Sequence, residues 1–139
     1  MKTFIYFTLS FILSMFSLGL RADVAIIVHP SNTSELTVSD ISKIYFGKRK
    51  SFPSGEQVIA INLTEGTAVR DQFNREVLGK SDQQLKAYWS KLVFTGKGVP
   101  PNEVTKDATV ISLVSSNPSM IGYVDASNVT DAVKVIHKF

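Results

Sequence analysis

VIAINLTEGTAVRDQF, Val58 to Phe73, decides how the rest of the chain is read. Val58 to Leu63 is a short apolar run with β-branched residues, which predicts a buried strand. Val69, Phe73 and Val77 then recur every four residues, the spacing of one helix face, and Gly79 is placed to close that helix. Between strand and helix lies Thr64-Glu65-Gly66-Thr67. The first N–H groups of a helix lack partners within it, and the helix dipole adds partial positive charge there. Gly66 lets a ligand approach the backbone, Thr67 offers a hydroxyl, and Arg70 follows one turn later. Such a turn either holds an anion or merely caps its helix. Glu65 weighs against the anion, because a carboxylate can itself take the positive end of the helix.

Working outward, the same alternation continues. Val24 to His29 (VAIIVH) predicts a buried strand ended by Pro30. Val38, Ile41, Ile44 and Tyr45 share a helical face, Thr37 and Asp40 form a capping pair, and Gly47 ends the helix. Ser81 with Gln84 makes a capping box for a third helix, along which Leu85, Tyr88, Trp89 and Leu92 are spaced to pack inward. TGKGVPPNE, Thr95 to Glu103, is rich in breakers and predicts a loop. Asp107 is placed to cap a fourth helix through Val110, Leu113 and Val114, which stops near Pro118. IGYV and VKVIHKF are strand-like. The order predicts an α/β fold, mostly parallel, with helices flanking the sheet. There is no internal repeat.

Composition narrows the function. Lys2, the apolar run Phe4–Leu20 and Ala22 have the pattern of an export signal cleaved near Ala22. The rival reading, an uncleaved anchor, has a run slightly short for a span. On this reading residues 1–22 are signal peptide, 23–139 are a single domain, and the protein is periplasmic. Loss of Lys2 and Arg21 takes the formal charge from +3 to +1, so nothing points to a nucleic-acid partner. The chain has no Cys, which excludes thiolate metal sites and Cys nucleophiles. His29 and His137, the only histidines, have no metal-ligand spacing, and no nucleophile is paired with a base. The expectation is a non-enzyme without a cofactor. Thr95-Gly96-Lys97-Gly98 offers a second anion loop, with a plain helix C-cap as the reading favoured by the position of its Gly.

LTVSDISKIYFGK, EGTAVRDQF, TGKG and NPSMIGYVD, in that order, resemble the phosphate-binding protein of phosphate ABC transporters. The likeness is greatest to small exported relatives of that protein. The resemblance covers nearly all of residues 23–139 and implies one lobe of a type 2 periplasmic-binding-protein fold. The lobe matched is the one continuous in sequence; the second, which closes over the ligand in that family, has no counterpart. Gly66 and Thr67 fall on the Gly and Thr of the family's phosphate turn. Glu65 stands where the family has Ser, and Ile61 where it has a phosphate-pairing Arg. Arg70 does not match that Arg by position.

The resemblance implies a solute-binding-like protein for phosphate or another small oxyanion, linked to transport or sensing. Its candidate ligand set is Thr64, Gly66, Thr67, Arg70, Lys97 and Gly98. The alternative is a periplasmic interaction module that kept the fold and lost the ligand. The partners considered are a small anion, an envelope transporter, sensor or porin, and a second copy of the chain.

Overall fold

A computed structural model describes residues 23–139; the expected signal segment and its cut near Ala22 lie outside the described residues. The element order is β1 (Val24–Val28), α1 (Val38–Tyr45), β2 (Ile59–Leu63), α2 (Ala68–Phe73), α3 (Asp82–Phe94), β3 (Asn102–Val104), α4 (Asp107–Ser116), β4 (Met120–Asp125) and β5 (Lys134–Lys138). A π-helical turn, Asn74–Leu78, extends α2, and a short 3-10 turn, Ala126–Asn128, follows β4. No described helix is long and apolar enough to cross a membrane.

The five strands form one sheet in the order β3-β2-β4-β1-β5, flanked by helices as the alternation predicts. β2 pairs parallel with both β3 and β4. β1 is the exception to the parallel expectation: it lies antiparallel between β4 and β5. The first strand–helix–strand unit is therefore not a crossover between adjacent parallel strands, since β4 separates β1 from β2. All five β1 residues are buried, as a central strand covered on both faces requires.

Side chains alternate across the strands, and this sorts the helices. Gly122 of β4 faces α4. A Cβ there would lie 2.5 Å from Val110 Cγ1 and 3.4 Å from Val114 Cγ2, so the missing side chain is what lets α4 sit against the sheet. Tyr123 points the other way. Its ring stacks on Phe73 of α2 at 3.8 Å, and Phe73 meets Tyr45 of α1 edge-on at 4.7 Å. These three rings are almost wholly buried and fill the core on that face. The two tyrosine hydroxyls are used: Tyr45 Oη donates to the Ile61 carbonyl at 2.8 Å, and Tyr123 Oη donates to Asn62 Oδ1.

Both capping boxes read from sequence are present, at Thr37/Asp40 and Ser81/Gln84. Asp107 departs from its expected role. The cap of α4 is Lys106, without a side-chain bond, and Asp107 is the first helical residue. Its Oδ2 accepts instead from the Asp125 N–H and the Asn128 amide, each at 2.9 Å, tying the end of β4 to the start of α4. A partner so distant in sequence gives no local signal. The breaker-rich loop after α3 also hides a strand, β3. Its pairing is supplied by the exposed edge of β2 and not by its own sequence (Asn-Glu-Val).

Candidate functional site

The Thr64–Thr67 turn lies at the carboxyl end of β2, the position where open α/β sheets place their ligands. Thr64 is held from below, its N–H donating to the Val104 carbonyl of β3 at 3.0 Å. Gly66 has φ +91°, the left-handed region that favours glycine, and nothing lies within 4 Å of where a Cβ would stand. The backbone is thus open to solvent on that side. Thr67 is the N-cap of α2, its Oγ1 accepting from the Arg70 N–H at 3.1 Å. The hydroxyl therefore serves the helix first. Glu65 does not sit at the helix start alone: Lys86 of α3 reaches across to its Oε2 at 3.0 Å. The carboxylate is matched by a cation from another helix, which lessens its opposition to an incoming anion.

Arg70 is where the sequence expectation is most altered. Its side chain is 5% exposed. Nε donates to Asp82 Oδ1 at 2.8 Å, and Nη1 donates to Glu103 Oε1 at 2.7 Å and to the Leu63 carbonyl at 2.5 Å. Burial alone would lower the guanidinium pKa; the hydrogen bond to Glu103 and the charge of Asp82 outweigh it and hold the pKa above its ordinary value. Asp82 Oδ1 also accepts from Asn74 Nδ2 at 2.8 Å. Arg70 thus clasps β2, β3 and α3 together, with two carboxylates already upon it. The network was not legible locally, since Glu103 lies 33 residues from Arg70.

Beside the turn is a cavity of about 560 Å³ lined by Arg70, Glu103, Glu65 and Lys86, and by apolar Leu85, Trp89, Phe94 and Pro101 among others. Lys97 and Gly98 do not line it. They line a second cavity at the far end of α3, with Trp89 and Val93 shared between the two. The structure therefore keeps the two candidate anion loops apart. TGKG adopts the C-cap form: Gly96 has φ +68°, and the Lys97 N–H donates to the Leu92 carbonyl at 2.8 Å. Ile61, which the resemblance sets against a phosphate-pairing Arg, is 2% exposed and lies in the core beside Gly122. Among the described residues no group of three or more His, Asp or Glu could hold a metal ion, and His137 is engaged with the Leu36 carbonyl at 2.6 Å.

No protein-family model matches the chain, and no curated protein matches it by sequence. Solved structures do. One is from Clostridium perfringens, assigned as the substrate-binding protein of a phosphate ABC transporter and carrying bound phosphate; it superposes with a TM-score of 0.64 at 25% identity. That match covers 83% of this chain and 45% of the other. An ABC-type phosphate transport receptor from Vibrio cholerae gives a TM-score of 0.60 at 19% identity, over 83% of this chain and 46% of the receptor. PstS from Borrelia burgdorferi gives 0.59 at 16% identity, over 83% and 47%. The chain thus has the fold of phosphate ABC transporter substrate-binding proteins while spanning less than half the length of each of these structures.

Proposed function

We propose that residues 23–139 form an exported, non-enzymatic solute-binding lobe that takes a small oxyanion, phosphate first among them, at the Thr64–Thr67 turn. It would deliver or report that ligand to an envelope transporter or sensor. The observation that carries the reading is the uncovered Gly66 backbone at a helix start, in a fold whose solved neighbours include one with phosphate bound. Thr64, Gly66 and Thr67 supply the contacts. Lys86 offsets Glu65, while Arg70, clasped to Asp82 and Glu103, braces the turn from below and has its charge already matched. Lys97 and Gly98, in the separate cavity, have no part in this contact set.

The affinity expected is low. An oxyanion loses its hydrogen bonds to water and needs replacements. The Ile61 side chain offers none, and residues 23–139 by themselves leave one side of the ligand wet. Residues 23–139, isotopically labelled, would be titrated with phosphate at constant ionic strength, using chloride as the control. The expected result is saturable movement of the Glu65 to Val69 amide resonances in the millimolar range, weakened by Lys86→Glu. Shifts scattered over surface lysines, or none at the turn, would overturn the assignment.

A further inference from the structure

Lys48, Lys50 and Lys97 line the second cavity, of about 660 Å³, between the end of α1 and the end of α3, and no Asp or Glu lines it. None of the three is in an ion pair among the described residues. Lys48 instead lies over the Phe46 ring, 5.6 Å from its centre. The floor is rigid. Trp89 is wedged between two glycine backbones, so close that a Cβ at Gly47 or Gly98 would stand 3.1 Å or 3.4 Å from its ring. Uncompensated positive charge is therefore held over a closely packed aromatic base.

The rim of the same region is apolar and outward-facing. Val93, Phe94 and Val99 are 53%, 92% and 83% exposed, and only Val135 joins them among the large exposed apolar side chains of the described residues. Val93 and Val99 line the lysine cavity itself. α3 has little reason of its own to present this end, since Leu85 is its one buried residue. The nearby carboxylates on the other side of Val93, Glu65 and Glu103, are each held by a cation.

We propose that this end of α3 docks on an anionic phospholipid bilayer. Lysines at headgroup level are drawn to the negative surface, and an adjoining Phe and Val pair enter the acyl boundary. Charge complementarity favours a negative partner. Phe94 lines the cavity beside the turn yet stays almost wholly exposed, which suits insertion into a soft medium. The inference does not need the oxyanion reading: its three lysines line a cavity that the Thr64–Thr67 turn does not, and the apolar rim, of which Val93 and Phe94 also line the cavity beside the turn, is used here only for its exposure.

The test uses residues 23–139, which contain every described strand and the whole described core, with circular dichroism verifying the fold of each variant. Protein is sedimented with phosphatidylglycerol-rich vesicles and with neutral phosphatidylcholine vesicles. Binding to the anionic vesicles alone is expected, falling as salt rises. Each Lys→Glu change at 48, 50 or 97 should lower partitioning by about fivefold or more. Phe94→Ser should lower it by about tenfold or more, with no change in fold. Saturating phosphate at matched ionic strength should leave vesicle binding intact, which separates this site from the turn.

Several outcomes would overturn the proposal. One is no binding to anionic vesicles at low salt. Another is equal binding to both lipids. A third is tight binding to a soluble acidic polypeptide that Phe94→Ser leaves unchanged, which would assign the lysines to a protein partner. The last is a dimer in sedimentation velocity, lost with Phe94→Ser, without vesicle binding; that would assign the patch to a second copy.

Discussion

Replacing Gly122 with Ala tests the packing that seats α4 on the sheet. The added Cβ would meet Val110 Cγ1 at 2.5 Å, whereas carbon atoms settle about 3.5–4.0 Å apart. Something must move by about 1 Å. Val110 is fully buried, and a β-branched residue in a helix has one strongly preferred rotamer, so the helix itself must lift. Overpacking of this kind costs about 1–3 kcal/mol. Gly122 does not have positive φ, so Ala suits the backbone and recovers about 0.4–1 kcal/mol through the unfolded chain. The net expectation is a loss of about 1–2 kcal/mol.

Val110→Ala alone removes two methyl groups, about 1.6 kcal/mol by transfer, with a further cavity cost. In the double variant the new methyl at 122 occupies space that Val110 Cγ1 vacates. The pair should then cost no more than Val110→Ala by itself, a favourable coupling of about 1–2 kcal/mol. Urea unfolding of the four proteins, compared at a common m-value, measures the cycle. Costs that add within about 0.5 kcal/mol would refute the close-contact account, as would a Gly122→Ala protein as stable as its parent.

Arg70→Met leaves Asp82 and the Leu63 carbonyl short of a donor and unlinks β3 from α3. Because Glu103 and Asp82 keep partial access to water, the cost should fall below that of a fully buried pair, at about 2–3 kcal/mol in urea unfolding; a loss under about 0.5 kcal/mol would mark the clasp as ornamental. Burial holds the Tyr45 and Tyr123 hydroxyls above their ordinary pKa, with the neighbouring phenol adding to the effect at Tyr45. The folded state then keeps protons that the unfolded state releases, so stability is intact below pH of about 10 and falls above it, by up to about 2.7 kcal/mol per pH unit for the two together. Urea midpoints measured from neutral to alkaline pH should show this limb, and a flat profile would contradict it. Ile61→Arg should destabilise by about 3 kcal/mol or more, since the charge would enter the core beneath α4. Phosphate should not stabilise that variant more than its parent in a thermal-shift assay; a phosphate-specific gain would show that position 61 can still reach a ligand.

Much of the fold was legible because its signals are local. The capping boxes, the apolar strands β1, β2 and β4, and the Gly-Thr helix start are each written within a few adjacent residues. The direction of β1 was not, because it depends on which strand lies beside it. β3 was hidden for the same reason: Asn-Glu-Val has no strand character until the edge of β2 supplies partners. α3 shows helical spacing at Tyr88, Trp89 and Leu92, yet these are only partly buried, since spacing defines a face and says nothing of whether another element covers it. At the candidate site, the turn could be read, but the fate of its charges could not. Lys86 on Glu65, and Asp82 and Glu103 on Arg70, are pairings made by the tertiary fold.

The meeting of the two ends of the described domain has a topological consequence. Val24 and Phe139 exchange both backbone hydrogen bonds, at 3.0 Å and 2.9 Å. The domain is thus nearly a closed ring. A short linker could join residue 139 to residue 23, and the ring could be cut instead at the exposed Pro53–Gly55 turn, whose glycine has open space around it. Such a rearranged chain should keep the same sheet. By the same geometry the lobe can be spliced into a loop of a host protein through two adjacent joints, with little distortion of either partner.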